Sequence, residues 1–303
     1  MSTAVATDSL GKRYGTKWAL SGCTVEIPEG RICGLVGSNG AGKTTLLRLL
    51  AGLAKPSTGQ VKIFDRAPAD DVEFLRSVGF LAQEIPLYKR WNTEDHLAMG
   101  KHLNRTWNEQ ITRDRIRSLG IALDQRVGTL SGGQRAQVAL AMALGKRPRL
   151  LLLDEPVAAL DPLARRDFLS VLAEAVADGD LTVILSSHLV GDLERVCDRL
   201  VLLDNGEVRL SADLDEVVAE HRLLSAPRDG ASLAALERAH TVLRVETTPR
   251  QTTAWVRLRG PLHDPGWQVD ALGLEDIVLA HMGRRERRPE PVLAGVSEKV
   301  VAR

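Results

Sequence analysis

The sequence contains little cysteine and no long apolar run. Three cysteines among 303 residues form no CxxC pair, which disfavours a disulfide framework and a zinc site and fits a reducing cytoplasm. No apolar run approaches the ~18 residues that a membrane-spanning helix needs. The first ten residues also lack the basic segment and apolar stretch of a secretory signal. We therefore expect a cytoplasmic protein that binds no zinc.

The chain also lacks an excess of charge of either sign. Its 40 Lys and Arg residues face 39 Asp and Glu residues, so the net charge is +1. A protein held on nucleic acid by bulk charge would be more basic, and no nucleic-acid partner is expected. Hydrophobic residues make up 44% and charged residues 26%, which is ordinary for a globular protein. The length favours about two domains.

Short apolar blocks alternate with helical stretches along most of the chain. Such alternation is typical of a mainly parallel α/β sheet. Over about 84–147 charges at helical spacing replace the aliphatic blocks, and a helical insertion is predicted. The Asn-Gly pair at 205–206, between apolar segments, predicts a hairpin. The predicted strands are 31–36, 61–64, 78–81, 150–153 and 182–185.

After about residue 222 the alternation weakens, and a small C-terminal α+β appendage is predicted. Strands are expected at 242–246 and 253–258, and a short helix at 274–281. The stretch from Gly283 to Pro289 contains four arginines, and we expect a basic, mobile end there. The predicted domains are therefore 1–222 and 223–303.

A glycine-rich loop joins the strand at 31–36 to a helix predicted from Lys43 to Leu53. It matches the pattern G-x-x-x-x-G-K-[ST], in which glycines let the backbone wrap a phosphate with inward N–H groups. The helix N-terminus adds partial positive charge. We expect Lys43 to contact the β- and γ-phosphates and Thr44 to ligate Mg²⁺. The nucleotide-binding residues predicted here are Gly37, Ser38, Asn39, Gly40, Ala41, Gly42, Lys43, Thr44 and Thr45.

Two acidic residues follow the aliphatic strand at 150–153. Asp154 and Glu155 stand where an open α/β sheet holds its ligands. Asp154 suits a residue that contacts Mg²⁺ directly or through a bound water. Glu155 suits a general base that polarises the attacking water.

A third motif, Leu130-Ser131-Gly132-Gly133-Gln134, precedes a helix predicted at about 135–144. A serine cap and two glycines at a helix N-terminus form a second anion-binding end. The residues themselves leave open whether both ends bind the same nucleotide.

The combination of GSNGAGKT, LSGGQ and LLLLDEP, in that order, resembles the ATP-binding cassette (ABC) family over roughly residues 4–220. The resemblance implies a P-loop NTPase fold, with a mixed sheet core, an N-terminal antiparallel β part and an inserted helical subdomain. It implies ATP and Mg²⁺ as cofactors. It also implies a head-to-tail pair of cassettes, expected here as a homodimer. The ATP held by Lys43 would then be capped by a second copy, through Ser131, Gly132, Gly133 and Gln134.

The resemblance assigns four further positions. Tyr14 stands where these cassettes stack an aromatic ring on adenine, since a planar ring offers a stacking face. Gln83 resembles the glutamine that touches Mg²⁺ or water, and His188 resembles the switch histidine near the γ-phosphate. Asp161 belongs to a loop that crosses the dimer interface. Ala158 replaces the family's usual serine, which removes one hydroxyl from that loop.

Because Glu155 and His188 are both present, the resemblance implies a working ATPase, not a module that binds ATP without turnover. The expected catalytic residues are Lys43, Gln83, Glu155 and His188, and the expected Mg²⁺ ligands are Thr44, Gln83 and Asp154.

Two classes of partner are open to such an ATPase. A transporter would require a separate integral-membrane permease, with this chain peripheral on the inner face of the cell membrane. The segment 85–91 carries Tyr88 and Trp91, which suit either a permease-docking surface or the core of the helical insertion. The alternative is a cassette ATPase acting on nucleic acid or ribosomes. Three features disfavour this alternative: the sequence has a single phosphate loop, only a short segment between Gln83 and Ser131, and no zinc-binding cysteines.

The direction of transport rests on a weaker likeness. The compact cassette and the stretch from Gly273 to Ile277 resemble bacterial exporter cassettes for drugs, antibiotics or lipids. Export is therefore expected, and import is the alternative.

Overall fold

The computed structural model describes residues 2–177, 179–228 and 230–283, and its strands form three sheets. Within these ranges no helix combines the length and apolar character needed to cross a membrane. The predicted mobile end from Gly283 to Pro289 lies outside the described residues, apart from Gly283 itself.

The N-terminal part is an antiparallel sheet. It contains β1 (Thr3–Tyr14), β2 (Lys17–Pro28) and β4 (Thr58–Ile63), in the order β2-β1-β4. Alternate side chains such as Val5 and Leu20 are buried against the main body, as the period of two in a strand requires. The predicted antiparallel part is thus confirmed.

The main body is built on a six-stranded sheet. Its strands are β3 (Ile32–Val36), β5 (Val78–Leu81), β6 (Leu150–Asp154), β7 (Thr182–Ser187), β8 (Arg199–Asp204) and β9 (Glu207–Asp213), and their order in the sheet is β5-β6-β7-β3-β8-β9. The first five run parallel, and β9 returns antiparallel through Asn205 and Gly206, whose φ angles are 49° and 80°. This mixed sheet contains the predicted Asn-Gly hairpin.

Helices cover both faces of this sheet, which explains why its central strands are continuous apolar runs. The helix α1 (Lys43–Leu50) packs on one face and α6 (Pro162–Ala177) on the other. Short helices α2 (Val72–Ser77), α7 (Val190–Leu193) and α8 (Leu214–Glu220) complete the body. The carboxyl ends of β3, β6 and β7 meet at one edge, so the loops that follow them converge there.

The helical insertion contains α3 (Thr93–Leu103), α4 (Glu109–Ser118), the 3₁₀ turn Val127–Thr129 and α5 (Gly132–Gly145). Its apolar cluster includes Leu97 of α3, Ile116 of α4 and Val138 of α5. Polar side chains accept backbone N–H groups at each helix start, which fixes where the helices begin.

The C-terminal part comprises β10 (His221–Pro227), α9 (Leu233–Ala239), β11 (Thr241–Thr247), β12 (Gln251–Arg257), β13 (Gln268–Ala271) and α10 (Leu274–Met282). Its strands form an antiparallel sheet ordered β11-β12-β10-β13. The sheet has its own apolar cluster around Leu224, Val256 and Trp267. The last helix instead buries Ile277 and Val278 in the cluster of the main body.

Candidate functional site

The glycine-rich loop between β3 and α1 contains a position that only glycine accommodates. Gly42 has a φ of 110°, and a Cβ placed there would lie 2.6 Å from Leu20 and 2.7 Å from the carbonyl oxygen of Ala19. The Nζ of Lys43 donates to the carbonyl oxygens of Gly37 at 2.7 Å and Ser38 at 3.3 Å. The lysine therefore curls back over its own loop, with only 7% of its side chain exposed.

Glu155 joins this loop to the end of a neighbouring strand. It follows β6 with a left-handed φ of 49°, an uncommon conformation for a residue with a side chain. Its Oε1 lies 3.3 Å from Lys43 Nζ, and its Oε2 lies 2.7 Å from Nδ1 of His188. One carboxylate, 9% exposed, thus contacts both the loop lysine and the histidine that follows β7.

Ser186, near the end of β7, organises the two acids that follow β6. Its hydroxyl donates to Asp154 Oδ1 at 2.9 Å and accepts the backbone N–H of Glu155 at 2.9 Å. Ser186 is fully buried and Asp154 is 2% exposed. Ser186 was not predicted as a site residue, although a polar residue that closes an aliphatic strand was an available signal.

Comparisons with known proteins show the family to which the chain belongs. The family model described as "ABC transporter" matches residues 20–158. The chain is 36% identical over 249 residues to the aliphatic sulfonates import ATP-binding protein SsuB 3 of Pseudomonas syringae pv. tomato, covering 81% of this chain and 87% of that protein. The chain belongs to the ABC transporter ATP-binding family.

Two further relatives extend this result. The phosphonates import ATP-binding protein PhnC 1 of Natronomonas pharaonis is 39% identical over 219 residues, covering 68% of this chain and 92% of that protein. A solved chain described as the dimeric structure of MJ0796, a bacterial ABC transporter cassette, matches with a TM-score of 0.62. It is 25% identical and covers 69% of this chain and 98% of that chain.

Family membership establishes the chain as an ATP-binding and ATP-hydrolysing subunit of an ABC transporter. The P-loop cassette fold, with its mixed sheet, antiparallel part and helical insertion, is also as predicted.

The LSGGQ motif of this cassette forms the start of α5. Ser131 Oγ accepts the backbone N–H of Gln134 at 3.1 Å, and Gln134 Oε1 accepts that of Ser131 at 3.0 Å, so the two side chains form a capping box. A Cβ at Gly132 would meet nothing within 4 Å, which leaves the helix end open to a ligand. In the described part of the chain, no hydrogen bond or ion pair joins the motif to Lys43 or Glu155.

Three other predicted residues are also separate from the Lys43 cluster. Tyr14 is half exposed, with Lys12 Nζ 5.1 Å from its ring centroid. Gln83 is exposed just after β5. Asp161 Oδ1 accepts the backbone N–H groups of two residues in the first turn of α6, at 3.1 and 3.0 Å. Across the described ranges, none of the three bonds to Lys43, Glu155 or His188.

The residues at this edge suit Mg²⁺ held together with a nucleotide. Thr44 and Asp154 offer a hydroxyl and a carboxylate, which are the hard oxygen ligands this ion prefers. Glu155 Oε1 is buried and has the ammonium of Lys43 at 3.3 Å but no hydrogen bond, so it can still accept one from a bound water. No three His, Cys, Asp or Glu side chains cluster to hold a metal within the described residues, but a magnesium site completed by phosphate oxygens and water does not need three.

Proposed function

We propose that Glu155 is the general base of ATP hydrolysis and that Lys43 and His188 act on the γ-phosphate. The observation that carries this proposal is the single buried carboxylate in contact with both residues. Lys43 is bonded to its own loop carbonyls, so an arriving phosphate replaces weak neutral acceptors with a charged one. His188, with 48% of its side chain exposed, can contact both the attacking water and the phosphate.

We propose Thr44, Asp154 and Gln83 as the residues that hold Mg²⁺, with Asp154 fixed by Ser186. The bound ion would supply charge neutralisation for the transferred phosphoryl group. The loop amides from Gly37 to Thr45 cradle the phosphates, and Tyr14 offers its half-exposed ring to the adenine.

We propose that two copies of this chain pair head to tail, so that residues 131–134 of one copy cap the nucleotide held by Lys43 of the other. The support is the open start of α5, which has no bond to the Lys43 cluster of its own chain within the described residues. The solved relative MJ0796, described as dimeric, agrees with such pairing. Asp161, exposed at the start of α6, is the residue proposed to cross the interface.

The partner that this ATPase drives is proposed to be a separate membrane permease, with the chain peripheral on the cytoplasmic face. Its proposed docking surface is the aromatic loop, residues 85–91. Tyr88 and Trp91 are 57% and 40% exposed, with ring centroids 4.7 Å apart. The buried His96 holds this loop, because its Nε2 accepts the backbone N–H of Tyr88 at 3.0 Å. Exposed aromatics on a fixed backbone suit an interface core.

The direction of transport that the comparisons favour is import. The two curated relatives reported above are named as import proteins for aliphatic sulfonates and phosphonates, and nothing in the comparisons supports the export expected from the sequence. We therefore propose an importer subunit, with small anionic sulfonates or phosphonates as the first substrates to test.

We also propose residues 223–303 as an accessory region to a cassette at 1–222, although the first strand of its sheet, β10, already begins at His221. The four-stranded sheet has its own apolar cluster, which supports a separate unit. The last helix, α10, packs into the main body and would hold that unit in place.

The partner is tested by purifying the tagged chain from native membranes. Recovery of a multi-span membrane protein is expected, and Tyr88→Ala with Trp91→Ala should reduce it while leaving ATP hydrolysis intact. Recovery of ribosomes or nucleic acid without a permease would overturn the transporter assignment.

The direction of transport is tested by uptake of a labelled alkanesulfonate or phosphonate into intact cells. Loss of uptake on deleting the chain supports import, and uptake independent of the chain contradicts it for these substrates.

A further inference from the structure

Arg165 on α6 joins two segments that border the site. Its guanidinium donates to the carbonyl oxygen of Leu160 at 3.2 Å and to the carboxylate of Asp192 at 3.1 Å. The side chains of Arg165 and Asp192 are only 22% and 25% exposed. One planar group therefore connects the loop after β6 to the short helix after β7.

Each connected segment carries a residue of the proposed mechanism. Leu160 lies in the loop that begins with Glu155 and ends with Asp161. Asp192 lies on α7, four positions after His188. The histidine stands on the stretch between β7 and α7, so any shift of α7 relative to the loop changes where its ring lies relative to Glu155.

The helix α7 needs such an anchor. It contains only four residues, from Val190 to Leu193, and so short a helix gains little from its own hydrogen bonds. Leu193 is buried in the main cluster. This packing holds the apolar side of the helix but does not fix the position of its polar side. The bond from Arg165 to Asp192 supplies that missing constraint.

We propose that Arg165 is a positioning residue that holds the His188 segment against the loop carrying Glu155 and Asp161. The inference rests on the catalytic roles proposed above for Glu155 and His188. Because arginine presents several donors in a rigid fork, it can bond both segments at once, whereas lysine offers a single point charge. The start of α6 also lies beside the LSGGQ motif. A Cβ added at Gly133 would lie 3.2 Å from the side chain of Ala164.

The test compares Arg165→Lys, Arg165→Gln, Asp192→Asn and the double variant in steady-state ATP hydrolysis by the full chain. A small misplacement of a catalytic group costs rate more than binding. We expect each single variant to lower kcat roughly 10-fold, with KM for ATP changed less than about 2-fold. The double variant Arg165→Gln with Asp192→Asn should be no slower than Arg165→Gln alone, because Asp192 has already lost its arginine partner there.

Arg166→Gln is the matched control, since Arg166 is the exposed neighbour on the same helix and forms no ion pair within the described residues. Its kcat should equal that of the wild type. Additive losses in the double variant, an unchanged kcat, or a rise in KM equal to the fall in kcat would each overturn the proposal. If Arg165→Gln fails to fold, the nearly isosteric Asp192→Asn decides the same question.

Failure of the underlying mechanism gives a different result. Glu155→Gln is measured alongside. If it hydrolyses ATP normally, the proposed function is wrong whatever Arg165 does. If it is inactive while the Arg165 and Asp192 variants behave as the wild type, only the positioning role is wrong.

Discussion

Replacement of Ser186 by alanine should weaken both the fold and the site. The hydroxyl makes two bonds, one to the Asp154 carboxylate and one to the backbone N–H of Glu155. A hydrogen bond to a charged group contributes about 1.5–3 kcal/mol and a neutral one about 0.5–1.5 kcal/mol. Since Asp154 is 2% exposed, water cannot easily replace the lost donor. We expect Ser186→Ala to lower the free energy of unfolding by about 2–4 kcal/mol.

The assay is urea denaturation followed by tryptophan fluorescence, together with ATP hydrolysis at saturating ATP. Turnover should fall as well, because the backbone of Glu155 loses the bond that helps hold its left-handed conformation. Ser170→Ala is the control, since Ser170 is exposed on α6 and alanine favours a helix by a few tenths of a kcal/mol. If Ser186→Ala lowers the free energy of unfolding by less than about 1 kcal/mol, the two hydrogen bonds of this hydroxyl do not stabilise the fold as proposed.

Three other perturbations have defined outcomes. Gly42→Ala should abolish binding of a fluorescent ATP analogue, because its Cβ would lie 2.7 Å from the carbonyl oxygen of Ala19; retained binding would contradict the loop geometry. Tyr14→Ala should weaken ATP binding by about 5- to 100-fold through loss of stacking, whereas Tyr14→Phe should bind normally. Equal ATP affinities for Tyr14→Ala and the wild type would exclude stacking. Burial lowers the pKa of both His221 and His240. These imidazoles are therefore protonated at a higher pH in the unfolded chain than in the folded one, and the fold loses stability as the pH falls below about 6.5. The urea midpoint should therefore be lower at about pH 5.5 than at about pH 7.5, and an unchanged midpoint would contradict the shifts.

The central sheet was predictable because its signals are local. The aliphatic blocks at 150–153 and 182–185 are strands buried on both faces, and the Asn-Gly pair is a hairpin turn. The predicted helix from Lys43 to Leu53 ends earlier, at Leu50, and Gly52 two positions later takes a left-handed φ of 73°. Apolar residues beyond Leu50 extended the prediction, although Leu53 is in fact 64% exposed.

Strands that depend on distant partners could not be located from their own residues, although the family resemblance implied an antiparallel part at the N-terminus. The strand β1 contains Gly11 and has several register shifts against β2, so its alternation is broken in the sequence. The strand β13 is exposed throughout and exists only through its pairing with β10. In the site, the contact of Glu155 with both Lys43 and His188 depends on the order of β6, β7 and β3 in the sheet, which no single motif encodes.

We propose that Glu155 acts as the general base on an ATP molecule held between two copies of the chain. The most direct measurement is the oligomeric state and turnover of Glu155→Gln with ATP, by size-exclusion chromatography with light scattering and a phosphate-release assay. Glu237→Gln, at an exposed site on α9, is the matched control. We expect an ATP-dependent dimer whose turnover falls by about 10²–10⁴-fold. A variant that stays monomeric with ATP and hydrolyses it at the wild-type rate would show that Glu155 is not the general base of a paired site.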